Sequence, residues 1–96
     1  MAHYLIMYLP PRENYAESMT PEEAAVNEQH FDYLKQKLSD GQVVMAGRPE
    51  DARFGIAVIE ASNEKEAYEI MANDPAVKEG VFSGDLLPFR LALLKN

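Results

Sequence analysis

Two titratable side chains sit beside apolar helix faces, where an unpaired polar group is costly. His30 lies inside the run EQHFDYLKQKLSDGQVVMAG from Glu28 to Gly47, and Asp74 lies in the NDPAV that begins at Asn73. An imidazole titrates near neutrality and can act as acid or base. On an ideal helix the stripe Ala24, Phe31, Leu34 and Leu38 is interrupted by Asn27, and His30 lies roughly 80° from its centre, flanked by Glu23 and Lys37. A histidine on that boundary touches both the sheet edge and solvent, as proton transfer requires. Position alone favours the simpler role of a packed histidine with one satisfied nitrogen.

Asp74 is in phase with Ile70 and Met71 and so leans toward the interior. It also ends a helix, where the dipole disfavours a carboxylate by up to about 1 kcal/mol. A hydrogen-bonding or cationic partner offsets that cost, or else Asp74 serves as N-cap of a turn starting at Pro75. Spacing leaves both roles open.

Other candidates are Arg12 and Tyr15 in a polar loop, with Arg48 and Arg53 around a strand turn. Arginine grips a substrate carboxylate through paired contacts, although most surface arginines have no such duty. Ser83 has only His3 as a further histidine, which argues against a serine triad. Two histidines without a carboxylate cluster make a poor metal site, and the glycines form no phosphate loop. These residues leave proton transfer as the chemistry to weigh.

The elements that position these residues follow from periodicity and punctuation. HYLIMYL, residues 3–9, reads as a strand stopped by Pro10 and Pro11, and the polar stretch to Met19 reads as a long loop of the kind that borders sites. Thr20-Pro21-Glu22-Glu23 is a capping box with proline at the first helical position, so a helix is predicted to about Asp40, ending at Gly41. Strands are predicted over 42–46 and 53–60, joined by GRPED. Asn63 to Glu66 opens a second helix, which Asn73-Asp74-Pro75 closes; one further turn over 76–79 precedes a strand that occupies much of 81–94, bent near Pro88. The order strand, helix, strand, strand, helix, strand is the ferredoxin-like α+β arrangement, an antiparallel sheet with two helices on one face. His3, Leu5, Met7 and Leu9 nevertheless point away from Tyr4, Ile6 and Tyr8, and FGIAVIE is likewise apolar on both sides. A second copy of the sheet is the simplest cover for that open face, so a homodimer is expected.

Composition sets the bounds. The chain has 96 residues, 47% of them hydrophobic and 26% charged, as in an ordinary globular domain spanning 1–96. Its formal charge of −7 repels polyanions, and the aromatic residues Tyr4, Tyr8 and Phe54 lack the basic, glycine-rich company of an RNA-stacking sheet. Nucleic acid is therefore excluded as a partner, and a small molecule is the better ligand. Cysteine is absent, which rules out disulfides and a thiol nucleophile and agrees with a reducing, cytoplasmic setting. No apolar run reaches the roughly 18 residues of a membrane span, and the N-terminus lacks a basic leader.

Three blocks, TPEEAAVNEQHFDYLKQKLSDGQVVMAG, RFGIAVIEASNEKEAYEIMANDPAV and SGDLLPFRLALL, together resemble the YCII-related proteins over almost the full length. The distinguishing combination is a mid-helix histidine, an AG at the second strand and NDP after the second helix. The resemblance implies a dimeric α+β barrel, two ferredoxin-like subunits with facing sheets. It further implies that His30 and Asp74 match the family's histidine–aspartate dyad beside a cleft. The activities it suggests are lyase or isomerase reactions like those of muconolactone-isomerase-like and dehydrochlorinating enzymes. A non-catalytic ligand-binding protein and a cofactor-free monooxygenase are the alternatives.

Overall fold

The structure, a computed structural model, describes residues 1–95. The elements run β1 (Ala2–Leu9), α1 (Tyr15–Ser18), α2 (Pro21–Ser39), β2 (Val43–Gly47), β3 (Gly55–Ala61), α3 (Glu64–Ala72), α4 (Pro75–Lys78) and β4 (Ser83–Phe89). The strands form one antiparallel sheet in the order β2-β3-β1-β4, which is the ferredoxin-like topology. In β1 the alternate residues Tyr4, Ile6 and Tyr8 are buried, and the register sets Tyr4 opposite Ile59 and Ile6 opposite Ala57, both fully buried. Each large apolar side chain buried in this way contributes about 1.5–3 kcal/mol. Leu34 of α2 with Ala67, Ile70 and Met71 of α3 completes this core from the helix side.

The opposite face carries Leu5, Met7, Ile56 and Val58 along the two central strands, with Met45 and Leu87 toward the edges. It does not alternate with polar residues as a solvated face would. Met45 and Leu87 stay 43% and 48% exposed.

The helix starts form as their sequences dictate. Thr20 Oγ1 accepts from the Glu23 N–H at 3.1 Å while Glu23 Oε1 accepts from the Thr20 N–H at 2.9 Å, closing the capping box. Gly41 ends α2 with φ of 84°, a left-handed value that a Cβ would penalise.

Three expectations are corrected. The 10–19 stretch contains the one-turn helix α1, whose Tyr15 is buried, so it is a packed cover and not an open loop. The last strand ends at Phe89, and residues 90–95 have no regular structure. Pro88 lies within β4, tolerated because an edge strand bonds a neighbour on one side only. The third correction concerns α2. Phe31 and Leu38 are 60% and 55% exposed, whereas the His30 side chain is only 14% exposed. The core-facing side of α2 thus runs through Val26, His30, Tyr33 and Leu34, and the most apolar stripe is split between core and cleft.

Arg12 fixes the 10–19 cover to α2. Its Nη1 and Nη2 donate to Glu23 at 2.9 and 2.7 Å, and its Nη2 and Nε donate to Ser18 O and Oγ at 2.6 and 3.1 Å. Arg12 first, and the Thr20 N–H second, hold the Glu23 carboxyl down at about 2. Because this folded value lies below the usual 4.5, the clamp is at full strength above about 4.5 and is lost as pH falls through about 2. A carbon-13 titration of Glu23 should give that low midpoint in the parent and return toward 4.5 in Arg12→Met. An unmoved midpoint would show that the clamp does not form in solution.

Candidate active site

His30 comes from the middle of α2, and Asp74 from the junction where α3 ends and α4 begins. The junction exists because Pro75 forces the preceding residue out of helical geometry and then opens the next turn. Asp74 accordingly has extended backbone, φ −62° and ψ 127°, and its Oδ1 accepts from the Ala76 N–H at 2.9 Å. The same carboxylate faces His30, with Nδ1 at 2.9 Å from Oδ1 and 2.7 Å from Oδ2. The cap and the histidine partner, alternatives on spacing, are both present in one side chain.

This network assigns the tautomer. Asp74 is completely buried and, as a carboxylate, only accepts, so the Nδ1 of His30 carries its proton and donates. Nε2, the ring's other nitrogen, keeps its lone pair, and His30 is among the residues that line a cavity of about 630 Å³. Such a nitrogen can abstract a proton, and the buried carboxylate stabilises the imidazolium that results.

The surrounding aromatic groups fix the ring. Tyr8 and Phe82 meet the imidazole edge-on, with centroids 4.9 and 5.2 Å away. The Tyr8 hydroxyl is buried and has no described partner in hydrogen-bond geometry. Burial, and secondarily the neighbouring Asp74 carboxylate, push its pKa far above the ordinary phenol range, so it stays protonated. Tyr33 donates to the Ile70 carbonyl at 2.7 Å and ties α2 to the end of α3. Its hydroxyl is pushed up to about 12, by burial first and by Asp74 second.

The cavity lies between α2, the β2–β3 side of the sheet and the 10–19 cover. Arg48 lines it, with Nη1 donating to the Pro49 and Glu50 carbonyls at 3.0 and 3.1 Å. Arg12 does not line it. Its guanidinium is held instead by Glu23, three residues into α2. Arg53 pairs with Asp51 in an exposed turn, at 3.0 Å. Tyr8, Phe31 and Phe82 were not singled out as site residues by the sequence. The alternation of β1 could have marked Tyr8 as facing the helices, but nothing local placed Phe82 beside His30.

A four-stranded antiparallel sheet in the order β2-β3-β1-β4 with its helices interleaved places the chain among the small ferredoxin-like α+β domains. The YCII-related domain description matches residues 1–90, and the chain belongs to that family. No protein of curated function matches it in sequence. Among solved structures it is similar to the 5-chloro-2-hydroxyhydroquinone dehydrochlorinase of Burkholderia phenoliruptrix in complex with 2,5-dihydroxybenzoquinone. The TM-score is 0.65 at 16% identity, over 91% of this chain and 93% of that one. At that identity the likeness concerns the fold. No helix of the described residues is long and apolar enough to cross a membrane.

Proposed function

We propose that this protein is a small enzyme, active as a homodimer, that moves a proton on a small polar organic substrate in a lyase- or isomerase-type reaction. One observation carries the reading: the Nδ1 of His30 is held by both oxygens of the fully buried Asp74, which leaves Nε2 with its lone pair on a ring that lines the cavity. His30 is the general base and then the acid, Asp74 orients it and balances its charge, and Arg48 at the cavity wall holds an anionic group. The chemistry runs on these side chains without a cofactor. The likeness to a dehydrochlorinase, an enzyme that removes hydrogen and chlorine from its substrate, supports the lyase sense.

The test is solvent-deuterium incorporation into a panel of small enolisable and polyhydroxylated aromatic compounds. 5-Chloro-2-hydroxyhydroquinone is included, with chloride release as its readout. The parent should turn over at least one of them, and His30→Gln should fall to the uncatalysed background while still binding it. A rate unchanged in His30→Gln would remove the histidine from the mechanism. Binding without turnover across the panel would favour a ligand-binding protein.

A further inference from the structure

We infer that the cavity selects a small aromatic anion, and that Lys35 together with Arg48 holds its charged group while the ring lies among Phe31, Phe54 and Phe82. This inference rests on the cavity being the ligand site and goes on to name what it takes. The chain is strongly acidic, with 16 Asp and Glu against 9 Lys and Arg. Among the described residues that line the cavity there is nevertheless no Asp or Glu, whereas Lys35 and Arg48 are both there. The adjacent carboxylate, Asp74, is sealed behind His30 and saturated by it. A cavity that excludes the dominant charge of its own chain and keeps two cations repels cationic ligands and concentrates anionic ones.

The two cations are placed to act on a ligand. Lys35 Nζ stands 5.4 Å from the Phe31 ring centroid and makes no ion pair with a described residue. Arg48 spends Nη1 on two carbonyls of its own turn, while its Nε and Nη2 have no hydrogen-bond partner among the described residues. Lys35 projects from α2 and Arg48 follows β2, so the charges come from two different elements around the cleft.

The body of the ligand follows from the rest of the wall. Phe31, Phe54 and Phe82 join Tyr8 and Tyr15 there, and aromatic faces and edges favour a planar ring over a flexible chain. A space of about 630 Å³ accommodates a one-ring compound with room for water. A ring lying on Phe31 would bring its carboxylate or phenolate within reach of Lys35, because that ammonium already sits over the same side chain.

The experiment compares three probes by amide chemical-shift titration: 2,5-dihydroxybenzoate, the neutral 1,4-dihydroxybenzene that lacks only its carboxylate, and succinate, which has charge but no ring. The proteins are the parent, Lys35→Gln, Arg48→Gln and the double variant, with His30→Gln as a background that binds without turning over. The benzoate should perturb amides at His30, Phe31 and Phe54 and bind about tenfold more tightly than the neutral ring, with succinate weaker still. That preference should shrink several-fold in each single variant, vanish in the double variant, and fall with added salt. Equal binding of the two rings, or a preference untouched in the double variant, overturns the assignment while leaving the proton-transfer reading to its own test. Cavity amides perturbed by none of the probes overturn it as well.

Discussion

Asp74→Asn should keep the junction between α3 and α4 folded and yet disable His30. The asparagine oxygen can still accept from the Ala76 N–H, now 2.9 Å from Oδ1, so the cap survives. Its amide nitrogen then presents hydrogens to Nδ1, which lies 2.7 Å from the Oδ2 it replaces. Two donors cannot share that contact, and only the longer 2.9 Å contact to Oδ1, already engaged by the Ala76 N–H, is left for an Nδ1 proton, so the proton should shift to Nε2. Nε2 then has no lone pair with which to take a proton. Nitrogen-15 shifts should show Nδ1 passing from the protonated to the unprotonated type, and turnover of any substrate found should fall by about two to four orders of magnitude. Asp74→Ala should behave differently, because it deletes the cap and strands a buried N–H. Loss of a charge-assisted hydrogen bond and a cap together costs about 3 kcal/mol, which lowers the melting temperature of a domain this size by roughly 12 °C or more. Wild-type tautomer and melting in both variants would return His30 to the status of an unpartnered packed residue.

The fold was legible in the sequence because its signals are local. The capping box at Thr20, the N-cap at Asn63, the prolines at 10–11 and 75, and the two-sided apolar β1 all register within a few residues, and each marks an element within a residue or two of its place. The pairing of His30 with Asp74 was legible only through resemblance, since 44 residues separate them and no local pattern says that α4 packs on α2. The phase of α2 was misjudged for a physical reason. Its most apolar stripe is split, since Leu34 packs into the core while Phe31 and Leu38 turn to the cleft, and the inward side is completed by Val26, His30 and Tyr33. On the proposed function the cleft inverts the usual rule, because a binding site leaves apolar residues exposed for a ligand and buries polar ones to orient them. The contact of Arg12 with Glu23 was not legible, because a loop arginine reads as free until a carboxylate within reach is placed beside it.

The open face of the sheet should bind a second copy of the chain, and a single charge at its centre should part the two. Leu5 occupies that centre, since β1 is an interior strand and its register sets Leu5 between Val58 of β3 and Leu87 of β4. Only toward the borders does the face turn polar, with His3 Nε2 3.4 Å from Glu60 Oε1 on one side and Asp85 on the other. An apolar centre within a polar rim is the anatomy of a lasting interface, and exposed to water it would be a liability to a monomer. Sedimentation at micromolar concentration should therefore give about twice 10.8 kDa. Leu5→Glu puts an unpaired carboxylate on each side of a two-fold contact, and desolvating both costs several kcal/mol. The variant should run as a monomer at the same concentration. Its helix-side core of Tyr4, Ile6 and Tyr8 is untouched, so far-ultraviolet circular dichroism should remain that of a folded α+β protein. A parent that sediments as a monomer, or a Leu5→Glu variant that stays dimeric, would mean that this face is not where two copies meet.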